Sequence, residues 1–280
     1  MDSGFMRVVI THGHIFKNAG TTLDWALRRN FGDGFCDHRD DVPMRRRRGE
    51  YLQEFLAENP GIQALSSHHL CDTAGLHEIR CLPIYLLRHP LLRVLSVYRF
   101  ERKQKSDSPG AEAAKKYDFK DYVKWRMDPN VGRTIRDYQV YYLGSNPAVP
   151  NETVLGVKHL ERAARRFHDG SFVGLVEDFD KSMTLVENEL KSYFPDIDLS
   201  YVRQNTGEVR SGSERSLNYL ADELGDMFDL LVESNSLDLT LYRMAKESLS
   251  KKIEKLGSFD QKLSDYRGRC EVLAQGRKAG

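Results

Sequence analysis

The sequence lacks three features that would assign it directly to a functional class: an excess of charge, paired cysteines and a long apolar run. Its 280 residues carry a formal net charge of only +1, so we expect no nucleic-acid partner attracted by an overall basic surface. The four cysteines contain no C-x-x-C pair, which argues against a disulfide framework or a cysteine-based zinc site. They are expected to be reduced thiols.

The absence of a long apolar run predicts that no segment spans a membrane. The N-terminal residues MDSGFMR also lack the basic and apolar regions of a secretory signal. Together with reduced cysteines, this composition leads us to expect a cytoplasmic protein.

The length suits one large α/β domain with an addition. We expect a catalytic domain over residues 1–245, followed by a charged helical extension and tail over 246–280. This C-terminal helix is the expected contact if the protein forms a homo-oligomer.

The most informative stretch runs from Val8 to Asn30 and has the pattern of a strand, a tight loop and a helix. Apolar residues end at Lys17, and the small residues Ala19–Thr22 follow. Backbone N–H groups of such a loop and the positive end of the helix converge on one point, Gly20 permits close approach, and Lys17 adds charge. The stretch therefore predicts a phosphate or sulfate site, although a simple turn with an exposed lysine fits it too.

Two further strands end in residues suited to chemistry. The predicted strand Ile62–Leu65 leads to His68 and His69, and the buried strand Pro83–Leu87 leads to Arg88, with Ser96 on the helix that follows. Histidines of this kind can also be packed residues, and such an arginine can pair with a local carboxylate.

Strands that alternate with helices predict a three-layer α/β/α fold with a central, mainly parallel sheet. In such sheets, sites lie beyond the carboxyl ends of the strands. Nucleoside-triphosphate loops have the motif G-x-x-x-x-G-K-[ST], which is missing here.

Two polar segments are predicted to lack regular structure: Gly32–Gly49 as a loop, and Lys103–Lys116 as a mobile segment. The first contains Arg45–Arg48, which either forms a solvated surface or binds an anionic acceptor.

Four segments resemble, in the same order, the PAPS-dependent sulfotransferases (PAPS is 3′-phosphoadenosine 5′-phosphosulfate). The similarity is closest to the carbohydrate branch that includes the heparan sulfate 2-O-sulfotransferases. Asn18 stands where that family usually has Ser or Thr, and Phe16 stands where it usually has Pro. The matching segments are IFKNAGTTL at Ile15–Leu23, Tyr85–Arg102, Phe172–Leu190 and Ser234–Ala245.

The resemblance implies transfer of a sulfuryl group from PAPS to an acceptor hydroxyl on a carbohydrate, without a metal ion. Lys17 would stabilise the leaving phosphate, while Arg88 and Ser96 would bind the 3′-phosphate. The general base would be His68 or, one residue later, His69; His12 and His14 are weaker candidates, because they precede the anion loop on the first strand. The resemblance also implies a P-loop-like phosphosulfate-binding loop. Its 5′-phosphate would be held by Asn18, Ala19, Gly20, Thr21 and Thr22.

Two other functions remain open at this point. A nucleotide-dependent kinase or ATPase of related fold would bind a similar anion, but the triphosphate motif and a clear Mg²⁺-binding Asp after a strand are missing. A non-catalytic module that binds anionic glycans would retain the cleft without turnover.

Overall fold

The computed structural model describes residues 6–70, 76, 78–145, 154–202 and 216–279. Its strands are β1 (Arg7–Gly13), β2 (Phe35–Asp37), β3 (Ala64–Ser67), β4 (Ile79–Leu87) and β5 (Phe172–Leu175). The first helices are α1 (Gly20–Phe31), α2 (Asp41–Glu58), α3 (Pro90–Lys103), α4 (Pro109–Lys116), α5 (Phe119–Met127) and α6 (Tyr138–Gly144). The remaining helices are α7 (Val157–Ala164), α8 (Phe179–Leu190), α9 (Leu217–Leu224), α10 (Met227–Glu233), α11 (Ser236–Lys255) and α12 (Phe259–Ala279).

The strands form one five-stranded sheet in the order β2-β3-β1-β4-β5, and every neighbouring pair is parallel. Helices flank this sheet, so the predicted α/β fold with a parallel central sheet is confirmed. β3 and β5 are buried throughout, and β1 and β4 are buried towards their carboxyl ends, as expected for a parallel sheet that is covered on both faces.

The strand order reverses at β1. The chain forms β2 and β3 on one side of β1 and then crosses to the other side to form β4 and β5. The carboxyl end of β1 is therefore the topological switch point of the sheet, and the loop that follows β1 lies there. Open parallel sheets bind ligands at this switch point.

The chain divides into two compact units. The first, which we call the sheet unit, comprises Met1–Leu87, Arg165–Thr206 and Ala245–Gly280, and it contains every strand together with α1, α2, α8 and α12. The second, the helical unit, comprises Arg88–Ala164 and Gly207–Met244. The expected boundary between residues 245 and 246 falls within α11 and stays a prediction.

The segment Gly32–Gly49 is not a loop, because it contains β2 and the beginning of α2. Met44, Leu52 and Leu56 are buried on α2, and their packing stabilises a helix whose apolar residues are too sparse to show a clear period. Arg45–Arg48 consequently lies on a helix, which changes its backbone conformation at Arg48.

The polar segment Lys103–Lys116 also contains regular structure, since α4 occupies its second half. Ser108 caps the helix by accepting a hydrogen bond from the Ala111 N–H, and Pro109 takes the first helical position. The alanines that made the segment look featureless are the residues that this helix buries.

Elsewhere the observed boundaries of strands and helices differ from the predicted ones by a few residues. The strand predicted at Ile62–Leu65 lies at Ala64–Ser67, so His68 follows its last residue directly. The sequence also predicts helices at Phe119–Met127 and Thr134–Leu143. The first has these bounds as α5, whereas the second begins only at Tyr138 as α6, because Asp137 has a left-handed backbone conformation.

Gly174 on β5 allows α8 to pack closely against the sheet. A Cβ atom at this position would lie 2.8 Å from Ser182 Cβ and 3.0 Å from Leu86 Cδ2. We expect Gly174→Ala to lower the free energy of unfolding by ~1–3 kcal/mol, which outweighs the ~0.5–1 kcal/mol gained from a less flexible unfolded chain.

Urea unfolding measures this change. Gly61→Ala is the matched control, because a Cβ there meets nothing within 4 Å. If both variants unfold at the same urea concentration, the close packing of α8 on β5 is wrong.

Candidate functional site

The loop between β1 and α1 contains two strained residues. Lys17 has φ 65° and Ala19 has φ 59°, so two non-glycine residues within three positions adopt the left-handed region. Each such residue costs ~1–2 kcal/mol, and it persists only where the surrounding structure enforces it. Strain of this kind is concentrated at ligand-binding loops.

Asn18 fixes the loop from inside. Its side-chain Nδ2 donates to the Leu86 carbonyl oxygen on β4 at 2.7 Å, and its backbone N–H donates to Ile15 O at 3.1 Å. The side chain is almost completely buried. Asn18 therefore ties the loop to the neighbouring strand near its carboxyl end.

The N-terminus of α1 has the properties of an anion site. Ala19 provides no side-chain cap, and the first turn contains no acidic residue. The Thr22 N–H donates to Ala19 O at 3.0 Å, whereas Gly20 and Thr21 are first-turn residues whose N–H groups have no partner within a helix. The helix dipole and these N–H groups favour a negatively charged ligand.

Gly20 serves a purpose that the sequence did not indicate. A Cβ atom at this position would overlap the His14 ring. Because Gly20 has no side chain, the His14 ring can pack against the beginning of α1.

His14 belongs to a buried cluster of two imidazoles and one carboxylate, which also includes His12 and Asp24. His12 Nδ1 lies 2.7 Å from Asp24 Oδ1, and His14 Nδ1 lies 2.9 Å from Asp24 Oδ2. Ser66 Oγ is 3.2 Å from His12 Nδ1. The cluster thereby joins β1, α1 and β3.

The cluster carries a negative charge on its carboxylate. Burial alone would raise the pKa of Asp24, but the adjacent His12 and His14 outweigh it and hold this pKa well below its ordinary value. Burial lowers the pKa of His14, and its contact with Asp24 opposes only part of that change. At neutral pH, Asp24 is therefore ionised and His14 is neutral.

The ligand atoms of His12, His14 and Asp24 all lie within 4.8 Å of one another, so this group could hold a metal ion. Two imidazoles and a carboxylate suit a first-row transition metal, whereas the sequence predicted no metal site. The distance of 2.7 Å between His12 Nδ1 and Asp24 Oδ1 is that of a hydrogen bond. We interpret the cluster as an Asp24 carboxylate that accepts from His12 Nδ1–H, with His14 Nδ1 in a polar contact at its other oxygen.

His68 lies next to this cluster at the end of β3. Its Nδ1 is 2.9 Å from the His14 carbonyl oxygen, and the two rings are 4.4 Å apart. Because a carbonyl oxygen only accepts, His68 Nδ1 carries the proton and Nε2 retains its lone pair. Burial, with a smaller effect from His14, lowers the pKa of His68. The ring is thus neutral and able to accept a proton at Nε2.

His69 is held more loosely. Its Nε2 lies 3.8 Å from Asp41 Oδ2 on α2, and its backbone N–H donates to Ser67 Oγ at 3.3 Å. Burial lowers the pKa of His69, and Asp41 opposes this effect. Of the two predicted histidines, His68 has the better defined tautomer.

Arg88 and Ser96 lie in the helical unit. The backbone of Arg88 is bound by the side-chain amide of Gln139, and Ser96 is half-buried on α3. Their assignment to a 3′-phosphate stays a prediction.

The sequence places Leu91, Val94, Leu95 and Tyr98 at helical spacing, which predicts a core face of α3 with Arg93 off that face. The Arg93 side chain is instead fully buried. Its Nη1 donates to Thr134 O at 2.8 Å, and its guanidinium lies 4.2 Å from the centre of the Tyr138 ring. The expected core residues of α3 are buried as predicted, namely Leu91, Val94, Leu95 and Tyr98.

Within the arginine run of α2, Arg45, Arg46 and Arg47 are exposed and Arg48 is half-buried. Arg47 pairs there with Glu50 and Glu54, which are also exposed. The proposed contact of Arg45–Arg48 with an anionic acceptor stays a prediction.

Comparison with known proteins gives a relative but no activity. No protein-family model matches the chain. A protein of Archaeoglobus fulgidus, described as uncharacterized, is 34% identical over 245 residues, which cover 84% of this chain and 95% of that protein. The chain belongs to the family of this archaeal protein.

Among solved structures, a sulfotransferase from Alicyclobacillus acidocaldarius matches with a TM-score of 0.42 and 13% identity. The match covers 84% of this chain and 97% of that one. A similarity this low establishes neither a shared activity nor shared site residues. In the part of the chain that the structure describes, helices long and apolar enough to cross a membrane are absent.

Sequence reasoning underestimated the His12–His14–Asp24 cluster. The alternation H-x-H at the end of β1 was a usable signal, because residues two apart point to the same side of an extended chain. Asp24 had no such signal, since its partners lie on another element.

We expect the protein to lose stability as the pH falls below the ordinary histidine pKa of 6.5. The pKa values of His14 and His68 are lowered by burial, so the unfolded chain binds protons there before the folded chain does. The free energy of unfolding then decreases with falling pH, by at most about 1.4 kcal/mol per pH unit for each histidine.

Urea unfolding between about pH 7.5 and about pH 5.5 measures this dependence. His68→Gln should reduce the slope, whereas His168→Gln, at an exposed position, should leave it unchanged. A slope that is equal in wild type and His68→Gln would contradict the lowered pKa of His68.

Proposed function

We propose that the protein is a sulfotransferase that moves the sulfuryl group of PAPS to an acceptor hydroxyl. The observation that carries this proposal is the strained, uncapped loop at the switch point of the sheet, with a neutral histidine nearby in the sheet unit. The motif resemblance over Ile15–Leu23 supports sulfate chemistry rather than nucleoside-triphosphate chemistry.

In the proposed reaction, the acceptor oxygen attacks sulfur in line with the bond from sulfur to the 5′-phosphate oxygen. The new O–S bond forms as that bond breaks, and adenosine 3′,5′-bisphosphate leaves with the electron pair. His68 Nε2 accepts the proton of the acceptor hydroxyl. Such a transfer requires positioning and charge stabilisation more than covalent catalysis.

The loop would bind the 5′-phosphosulfate. In this proposal the N–H groups of Ala19, Gly20 and Thr21 and the hydroxyls of Thr21 and Thr22 hold the phosphate, while Asn18 keeps the loop in shape. Lys17 stabilises the charge that develops on the leaving oxygen, as electrostatic catalysis requires.

Arg88 and Ser96 are proposed to bind the 3′-phosphate. A guanidinium is suited to this task, because its N–H groups match the oxygens of a phosphate. The acceptor is proposed to be a carbohydrate, and this assignment rests on the motif resemblance alone.

We predict that the protein binds adenosine 3′,5′-bisphosphate at least about tenfold more tightly than ATP or ADP, because a 5′-polyphosphate lacks the 3′-phosphate contact, worth ~1.5–3 kcal/mol. Calorimetry with and without Mg²⁺ measures the affinities. Mass spectrometry of saccharide and small-alcohol acceptors incubated with PAPS then detects sulfate transfer. ATP binding that is equally tight and requires Mg²⁺ would instead support a kinase.

We predict that His68→Ala lowers kcat by about 10²–10⁴, the usual contribution of a general base. Binding of adenosine 3′,5′-bisphosphate should stay unchanged, since His68 acts on the acceptor. His69→Ala and the exposed control His168→Ala should retain most of their activity.

Steady-state kinetics of the three variants tests this assignment. Loss of activity in His69→Ala with an active His68→Ala would transfer the role to His69. If both stay active, the base is a different residue.

A further inference from the structure

The backbone of Arg88 is held at two points by one buried side chain. The Arg88 N–H donates to Gln139 Oε1 at 2.9 Å, and Gln139 Nε2 donates to Arg88 O at 2.9 Å. Gln139 lies on α6, is fully buried and is 51 positions away in sequence. The amide thus satisfies both hydrogen-bonding groups of the residue that follows β4, as a neighbouring strand would.

Gln139 is itself held by Asp238 on α11. The Gln139 N–H donates to Asp238 Oδ2 at 3.0 Å, and the Val140 N–H donates to Asp238 Oδ1 at 2.7 Å. Asp137, which precedes α6, provides no side-chain cap, so a carboxylate from a distant helix caps α6 instead. This tertiary cap fixes the helix start from which Gln139 reaches Arg88.

A second layer of contacts restrains Asp238. Its N–H donates to Asp137 Oδ1 at 2.9 Å, and the Asp137 N–H donates to Asn235 Oδ1 at 3.2 Å. Asn235 Nδ2 donates to Ile135 O at 2.9 Å. Asp137 keeps a left-handed backbone with φ 43°. These side chains are all buried, so the network is rigid and specific.

A short helix does not need such a network to begin, and a buried polar group destabilises the fold unless all its partners are in place. The structural consequence of the network is that it fixes the backbone of Arg88. A binding residue whose backbone is fixed in advance loses less conformational entropy when the ligand arrives.

We propose that Gln139, supported by Asp238, is a positioning residue for Arg88 and sets the preference for a ligand with a 3′-phosphate. The proposal rests on the proposed assignment of Arg88 to that phosphate. Gln139 acts only through Arg88, so its effect should depend on whether the ligand carries the 3′-phosphate.

The test compares adenosine 3′,5′-bisphosphate with adenosine 5′-monophosphate, which lacks the 3′-phosphate. Calorimetry at fixed salt gives both affinities for wild type and for Gln139→Met, which replaces the amide by an unbranched apolar chain of similar length. We expect about a tenfold loss for the bisphosphate and less than about a twofold change for the monophosphate. Gln261→Met, at an exposed position on α12, should change neither affinity.

Equal weakening of both ligands, or an unchanged ratio of their affinities, would overturn the positioning role. The KM for PAPS should rise with little change in kcat, because the 3′-phosphate contact is the same in the ground and transition states. A fall in kcat at constant KM would also contradict the proposal.

Amide hydrogen exchange tests the positioning independently of the ligand. In wild type the Arg88 N–H should exchange slowly. In Gln139→Met its exchange rate should be at least about tenfold higher than in wild type, while the rates of neighbouring amides of β4 should stay unchanged. If Gln139→Met does not fold, Asp238→Asn replaces it and should give a smaller change of the same kind. Equal exchange rates in variant and wild type would show that Gln139 does not hold the Arg88 backbone.

The wild-type protein could bind both nucleotides equally well although Gln139 protects its Arg88 amide from exchange. That result would show that Arg88 does not bind a 3′-phosphate, even though Gln139 holds its backbone. The same result would overturn the role of Gln139 in ligand preference.

Discussion

The connection between β1 and α1 is the constraint on which the sheet unit's chemistry depends. It must leave the sheet at its switch point, turn through two left-handed residues, Lys17 and Ala19, and begin a helix without a side-chain cap. Asn18 holds it to β4, and the missing side chain of Gly20 admits the His14 ring. Strain distributed over so few residues persists because these buried contacts offset it. An anion at the helix N-terminus would satisfy the groups that the fold leaves there.

An electrostatic conflict follows from the position of Asp24. It lies on α1 four residues after Gly20, about 6 Å along the helix axis, so an unscreened carboxylate would disfavour an anion at the N-terminus. His12 Nδ1 donates a hydrogen bond to this carboxylate, which spreads part of its charge, and His14 Nδ1 lies 2.9 Å from its other oxygen. The cluster therefore reduces the repulsion between this buried carboxylate and an adjacent phosphate.

The sequence predicted those parts of the fold that are decided locally. The strand, loop and helix around Lys17, the strand β5 and the helix α5 all show in periodicity and in small residues, and α5 has the predicted bounds. What failed depends on contacts that are distant in sequence. α2 exists because Met44, Leu52 and Leu56 are buried by other elements, and four consecutive arginines concealed that face. Arg93 can be buried because its guanidinium donates to the Thr134 carbonyl and lies over the Tyr138 ring. No local sequence pattern reveals these contacts.

The choice between His68 and His69 illustrates the same limit at the level of a single proton. Both residues follow β3, and sequence left their register open by one residue. The difference arises from the partner of Nδ1: a backbone carbonyl that only accepts fixes the proton of His68 on Nδ1, whereas the Asp41 carboxylate lies 3.8 Å from His69 Nε2, the atom that a base would need. A carboxylate near that nitrogen attracts a proton to it and removes the lone pair. Local geometry at the end of one strand therefore favours His68, through its contact with the backbone carbonyl of His14.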